Sequence, residues 1–248
     1  MSPNQDPYSR LADLYDSYAK NDAISAFYSG WVDSLLAAIR QYHVPVQVLV
    51  DLACGTGNTT IPWTKQHRWT VIGVDRSRAM LHEARKKSKQ VRWINQDLRE
   101  LHLDLKADVA TCHFDSLNHI LTIRDLQKVF ERVARILNKG GLFQFDLSTA
   151  FWFRWLDVHE KLFQVGPNYI MAYNDYDSRK GIVTFHQLWF VRSGRTYKKR
   201  EVTVQEAAYT QKEVRSMLKK AGLRPLKISV CHKMEGKPMR FLYLVQKA

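Results

Sequence analysis

Two acids and two glycines carry the first chemical signal. In Val48-Leu49-Val50-Asp51-Leu52-Ala53-Cys54-Gly55-Thr56-Gly57-Asn58, an apolar run closes on Asp51 and breaks into a glycine loop. A continuous apolar run is what a parallel strand buried on both faces requires. Residues without a Cβ let the turn take positive φ and let a ligand approach the backbone, while the following helix points free N–H groups at it. Asp75 closes a second apolar run, Thr70 to Val74, twenty residues beyond Gly55. An acid so placed can accept hydrogen bonds from ribose hydroxyls, which makes a nucleoside the expected ligand. Thr60 stands where a dinucleotide fingerprint needs its third glycine, and Asn58 where a phosphate-binding loop needs lysine, so NAD and nucleoside triphosphates are disfavoured.

These residues need elements to hold them. Apolar spacing at Leu11, Leu14, Tyr15 and Tyr18 predicts one helix, and Ile24, Phe27, Tyr28, Trp31, Leu35, Leu36 and Ile39 a longer one. Strand-like runs follow at Val91–Ile94 and from Asp108. A helix over Ala150–Val158 then precedes three strand-like stretches, Tyr169–Tyr176, Ile182–Val191 and Tyr197–Tyr209, joined by turn sequences as an antiparallel meander. Thr210 and Glu213 form a capping-box pattern opening a helix that Gly222 stops, and Leu226–Cys231 and Phe241–Val245 read as the final strands. The chain of 248 residues suits one α/β domain with embellishments.

Asp51-Leu52-Ala53-Cys54-Gly55-Thr56-Gly57 resembles the first motif, D-x-x-x-G-x-G, of class I S-adenosylmethionine-dependent methyltransferases, with Ala53 at a position often held by glycine. Later motifs keep the order. Asn95-Gln96-Asp97-Leu98 is similar to the adenine-binding motif, Asp115-Ser116-Leu117-Asn118 to the motif after the fourth strand in small bacterial members, and Gly140-Gly141 to the turn before the fifth strand. The resemblance is close over residues 46–148. It implies a Rossmann-like α/β fold with a seven-stranded, mostly parallel sheet whose last strand is antiparallel. An N-terminal helical lid (1–44), a donor-binding core (45–150), an inserted helix and antiparallel meander over the substrate (151–209) and the end of the core sheet (210–248) make one methyltransferase domain.

For the donor, S-adenosylmethionine, the resemblance implies contacts from Tyr15, Asp51, Ala53, Gly55 and Gly57, from Asp75 at the ribose with Arg76 and Met80, and from Asp97, Leu98 and His113. Methyl transfer needs reactants held in line, and a base only where the acceptor keeps its proton. His119 is the expected base, having a near-neutral ordinary pKa, with Asp115 and Tyr15 beside it as catalytic candidates. Trp31 and Asn118 are candidate substrate contacts. So are Glu206, a lone acid on the otherwise apolar face Val202-Val204-Glu206-Ala208, and Gln187 and Trp189 on one face of their strand; His186 lies on the opposite face, and periodicity does not say which one meets the pocket.

The net charge of +14 is concentrated after residue 191, where 15 Lys/Arg stand against 4 Asp/Glu. Such a field favours anionic partners without choosing among them. A small-molecule acceptor, anionic or aromatic, methylated on N or O is the preferred reading. An RNA methyltransferase or a non-catalytic S-adenosylmethionine-binding protein are the alternatives, and nucleic acid is disfavoured because no Pro-Pro follows Asp115. A polar N-terminus and the lack of an 18-residue apolar run lead to a cytoplasmic expectation without membrane contact, as monomer or homodimer. Three cysteines without ligand spacing lead to none for metal.

Overall fold

The computed structural model describes residues 6–19, 22–157 and 161–248, with residues 22–29 given by their helical backbone alone. The expected side-chain stripe at Ile24, Phe27 and Tyr28, and the polar start at residues 1–5, lie outside the described residues. A seven-stranded sheet is built from β1 (Val48–Leu52), β2 (Thr70–Asp75), β3 (Arg92–Asn95), β4 (Ala107–Cys112), β5 (Leu137–Ser148), β10 (Leu223–Met234) and β11 (Lys237–Lys247). Their order is β10-β11-β5-β4-β1-β2-β3. β11 alone is reversed, pairing antiparallel with both β5 and β10.

Apolar residues on both faces of the strands make this sheet a central layer. Val50, Ile72 and Ala110 meet α4 (Ile123–Ile136) on one face; Leu49, Val71 and Val109 meet Leu35 and Ala38 of α2 (Asp22–Gln41) on the other. The α4 stripe of Leu126, Val129, Phe130 and Val133 is fully buried, and the Thr122 hydroxyl caps its first turn by accepting from Asp125 N–H at 3.1 Å. The expected capping box forms at Thr210 and Glu213 and opens α6 (Gln211–Lys220).

A second sheet, β6-β7-β8-β9, follows α5 (Ala150–Asp157). Its strands are β6 (Lys161–Val165), β7 (Asn168–Asp177), β8 (Ile182–Ser193) and β9 (Thr196–Ala207). It contains one strand more than the expected meander. β6 is a short edge strand that alternates between exposed and half-buried positions, so its sequence lacks the apolar signal a central strand must carry. The last two strands also run longer than their apolar centres, over 12 and 11 residues, because backbone pairing continues through polar ends. The inner face of this sheet packs on the N-terminal segment: Leu11, Ile170, Trp189, Val202 and Val204 form a buried cluster joined by Tyr8, Leu14 and Tyr18.

Candidate active site

Asp51 sits at the end of β1, 1% exposed, and all its acceptor capacity turns to hydroxyls: Thr59 and Thr60 donate to one oxygen at 2.8 and 2.6 Å, and Thr111 to the other at 2.7 Å. It holds the loop against β4 from behind. In that loop Ala53, Gly55 and Gly57 all adopt left-handed φ, 52°, 54° and 81°. A Cβ on Gly57 would stand 2.4 Å from the Trp93 ring, so glycine there answers to packing as well as to conformation. Met80, buried, lies 3.3 Å from where a Gly55 Cβ would be and walls the loop.

Asp75 at the end of β2 accepts from Gly55 N–H at 2.8 Å and from Ser77 N–H at 2.7 Å. Burial raises its pKa, with those two N–H groups opposing. Between the ends of β2 and β3, Arg76, Asn95, Gln96, Asp97 and Glu100 line a cleft of about 340 Å³. Asn95 fastens its floor by donating to the carbonyls of Asp75 and Arg76 at 3.0 and 2.8 Å. Asp97 caps a single 3-10 turn and holds Arg99 at 2.6 Å, while Leu98 turns into the core.

The N-terminal segment closes over this edge. From α1 (Ala12–Ala19), Asp16 accepts from Thr56, Asn58 and Lys87 at 2.5, 2.9 and 2.6 Å, which outweighs its burial and lowers its pKa. Arg200 of β9 grips Asp13 at 2.7 Å, tying the same helix to the second sheet. Underneath lie Tyr8 and Tyr15, edge to face at 6.1 Å, and burial raises the pKa of both phenols.

Beyond β4 the chain makes two consecutive left-handed residues, Phe114 (φ 59°) and Asp115 (φ 52°), a conformation that costs L residues and is held by its surroundings. Asp115 N–H donates to Asp146 at 2.9 Å, and the Ser148 hydroxyl to the Asp115 carboxylate at 3.1 Å. Arg240 of β11 bridges Asp115, at 2.6 Å, and Asp146, which is wholly buried. Burial alone would lower the Arg240 pKa; the two carboxylates outweigh it and keep the guanidinium charged. Arg240 also lies over the Trp31 ring, which packs on His113 and Phe114 at 5.2 and 5.1 Å. Gln144 spends its amide N–H on Ser34 and accepts from His113 Nε2 at 3.0 Å, and burial lowers the His113 pKa.

His119 packs edge to face against Tyr8 at 5.7 Å. Its Nδ1 donates to the Gln205 carbonyl at 3.3 Å, which leaves the Nε2 lone pair to accept from the Tyr8 hydroxyl at 3.2 Å. Burial lowers its pKa against the pull of Asp115, so the ring is neutral at neutral pH. Glu206 stands 3.8 Å from His119 Nε2, 7% exposed, with its second oxygen unpartnered, and burial followed by Asp115 pushes its carboxyl well above the usual range. Asn118 is fully buried and spends its amide on Ser148 and Ala207, stitching the turn to β5 and β9.

The structure thus brings Tyr15, Trp31, His113, Asp115, His119 and Glu206 together. Gln187 and Trp189 belong to the inner face but bond one another at 3.0 Å inside the apolar cluster with Tyr18. The expectation that His186 contacts substrate is corrected. The cross-strand pairs Gln187 with Val202 and His186 with Thr203 put it on the outer face, where it bonds Asp175 at 3.0 Å. Three residues of this cluster were not among the expected site residues: Tyr8, Asp146 and Arg240. Asp146 carries a signal, being an acid within the buried strand Leu142–Leu147; Arg240 carries none, since only the antiparallel return of β11 brings it there.

Among the described residues no three His, Cys, Asp or Glu side chains are grouped to hold a metal, and no helix is long and apolar enough to cross a membrane. Residues 49–141 match the family model described as a methyltransferase domain. The Bacillus subtilis protein YqeM is 27% identical over 231 residues, 88% of this chain and 86% of that protein. A Streptomyces fradiae dTDP-3-amino-3,6-dideoxy-alpha-D-glucopyranose N,N-dimethyltransferase is 28% identical over 56% of this chain and 54% of its own length. The crystal structure of a S-adenosylmethionine-dependent methyltransferase from Clostridium acetobutylicum superposes with a TM-score of 0.83 at 29% identity, covering 97% of this chain and 99% of that one. With the glycine loop, the acids near successive strand ends and the reversed β11 already in place, these matches show a methyltransferase domain over residues 49–141 in a chain folded throughout like a S-adenosylmethionine-dependent methyltransferase.

Proposed function

We propose that the chain methylates the nitrogen of an amine on a small, sugar-like acceptor. One observation carries this reading: three carboxyls, Asp115, Asp146 and Glu206, crowd one guanidinium, Arg240, in a buried chamber. Burial and the Asp115 carboxylate favour the uncharged form of Glu206, and a protonated amine beside it would supply the cation that lets it ionise. Segment 45–150 would hold the donor and segment 151–209 would cover the acceptor. The amino-sugar dimethyltransferase among the relatives supports the same acceptor class.

The residues fit the donor on two grounds: the left-handed Gly55 and Gly57 turn the loop sharply at the end of β1, where Gly55 N–H meets the Asp75 carboxylate, and the cleft lined by Arg76 and Asp97 lies at the end of the same β2 strand. S-adenosylmethionine, when bound, supplies an electrophilic methyl on a sulfonium. Asp75 would hold the ribose, and Asp115 the acceptor ammonium. Once the Tyr8 hydroxyl gives up its hydrogen bond to His119 Nε2, that nitrogen would take one proton from the ammonium, and the freed amine lone pair would form the N–C bond as the methyl–sulfur bond breaks and a neutral thioether leaves. Tyr8 and Tyr15 would exclude water above it.

The test is label transfer from methyl-labelled donor to amino-sugar nucleotides and to their hydroxyl counterparts. The amine should be methylated and the hydroxyl spared. Asp115→Asn should raise the amine KM about 10–100-fold, the worth of a charged hydrogen bond of about 1.5–3 kcal/mol. Equal kcat/KM for hydroxyl and amine, or label found only in RNA, would overturn the proposal.

A further inference from the structure

The outer face of the second sheet has no role in the chemistry above. Alternation along each strand sends Val183, Trp189, Val202 and Val204 inward and an aromatic set outward. Tyr169, Met171, Tyr173 and Phe190 are 36–40% exposed, with Tyr197 at 46% and Leu162 at 74% on the flanks. They are neighbours on one surface: Tyr169 pairs with Phe190, Met171 with both Leu162 and Leu188, and Tyr169 lies 5.9 Å from Tyr197 ring to ring. Aromatics and methionine gathered on one flat face are the composition of an interface core.

We propose that this face joins two copies of the chain in a face-to-face dimer. The charges at its ends decide for a second copy. Asp175 pairs with Thr184, four residues before Leu188 on β8, and the exposed Arg192 lies four residues after Leu188. At about 3.3 Å per residue each charge stands about 13 Å from the Leu188 level, on opposite sides. A two-fold axis lying across the strands at Leu188 reverses strand direction and brings each Asp175 level against the other copy's Arg192 level. The same axis sets each Glu201, level with Leu188 on β9, against its own copy, where Lys199 at 2.5 Å neutralises it, while the Asp175–Arg192 contact forms twice, as in an isologous interface. Three strands about 4.8 Å apart over a length of about 27 Å, with the five-residue β6 beside them, offer roughly 470 Å² per copy, or about 940 Å² in all, at the lower limit of a specific interface. The inner face stays on the lid, so pairing leaves the site intact.

The test is the mass in solution of the full chain by sedimentation equilibrium from about 1 to 100 µM, a range that resolves a micromolar Kd. The expected mass is twice the 29.0 kDa of the chain. Met171→Glu with Phe190→Glu, both at exposed positions, should give a monomer that keeps its secondary structure by circular dichroism and its donor binding, with a melting temperature lowered by the loss of the partner and no longer dependent on protein concentration. Asp175→Arg and Arg192→Asp should each weaken the dimer about tenfold or more, and the two together should restore it. A monomer throughout the range, a dimer unaffected by the Met171/Phe190 pair, or no rescue by charge reversal would overturn the proposal.

Discussion

Replacing Arg240 by methionine removes the one cation between Asp115 and Asp146 while keeping the apolar stem that packs near Trp31. Both pairs are largely removed from water, with the Arg240 side chain 20% exposed, Asp115 25% and Asp146 0%, so screening discounts little. Breaking a buried pair on one side costs about 3–5 kcal/mol, because the remaining carboxylate stays desolvated. For a domain of this size that is a fall in Tm of about 6–20 °C. The pH dependence gives the mechanism away. Burial already raises the Asp146 pKa, with Arg240 opposing; without Arg240 the folded value rises further. A carboxyl with a raised folded pKa destabilises the fold at high pH and ceases to do so as pH falls through that value toward the unfolded one, about 3.9. Scanning calorimetry should therefore show a deficit that is large at pH 8 and smaller at pH 5, and Asp146→Asn in the same chain should restore much of it. A loss of less than about 2 °C, or one equal at both pH values, refutes the reasoning.

Other residues are tested more briefly. Ala53→Gly relieves a left-handed alanine costing about 1–2 kcal/mol but adds about 0.5–1 kcal/mol of unfolded-chain freedom, so Tm should rise by about 1–4 °C. Asp75→Ala should weaken donor binding about 10–100-fold by calorimetry; unchanged affinity would mean the ribose is held elsewhere. His119 has a folded pKa below its ordinary 6.5, so its contribution to stability is present above that pH and is lost as pH falls through the folded value. His119→Gln should flatten that acid limb, and the acid limb of kcat/KM in the unaltered enzyme should lie below pH 6.5.

The donor side was open to sequence reading because its residues are close along the chain. Asp51, Gly55 and Gly57 share one strand-to-helix crossing, and Asp75 and Asp97 end the next two strands, where parallel pairing in order sets acids side by side. Apolar periodicity likewise announced the N-terminal helices and the layers of the core, and the Thr210 and Glu213 spacing announced the capping box. Edge strand β6 was silent because half-exposed strands need no apolar alternation. His186 and Gln187 were ambiguous because both faces of β8 carry apolar residues, and only packing on Leu11 and Tyr18 chooses between them.

Local order along the chain therefore determined the glycine loop, the acids near successive strand ends and the alternating α/β architecture, since each rests on short-range spacing, and the class of reaction entered through the family resemblance those residues carry. The cluster around Arg240 and His119 was decided by tertiary structure alone. Tyr8, His119, Glu206 and Arg240 come from the lid, a turn, the second sheet and the reversed strand, and their charges acquire meaning only when folding removes water from between them.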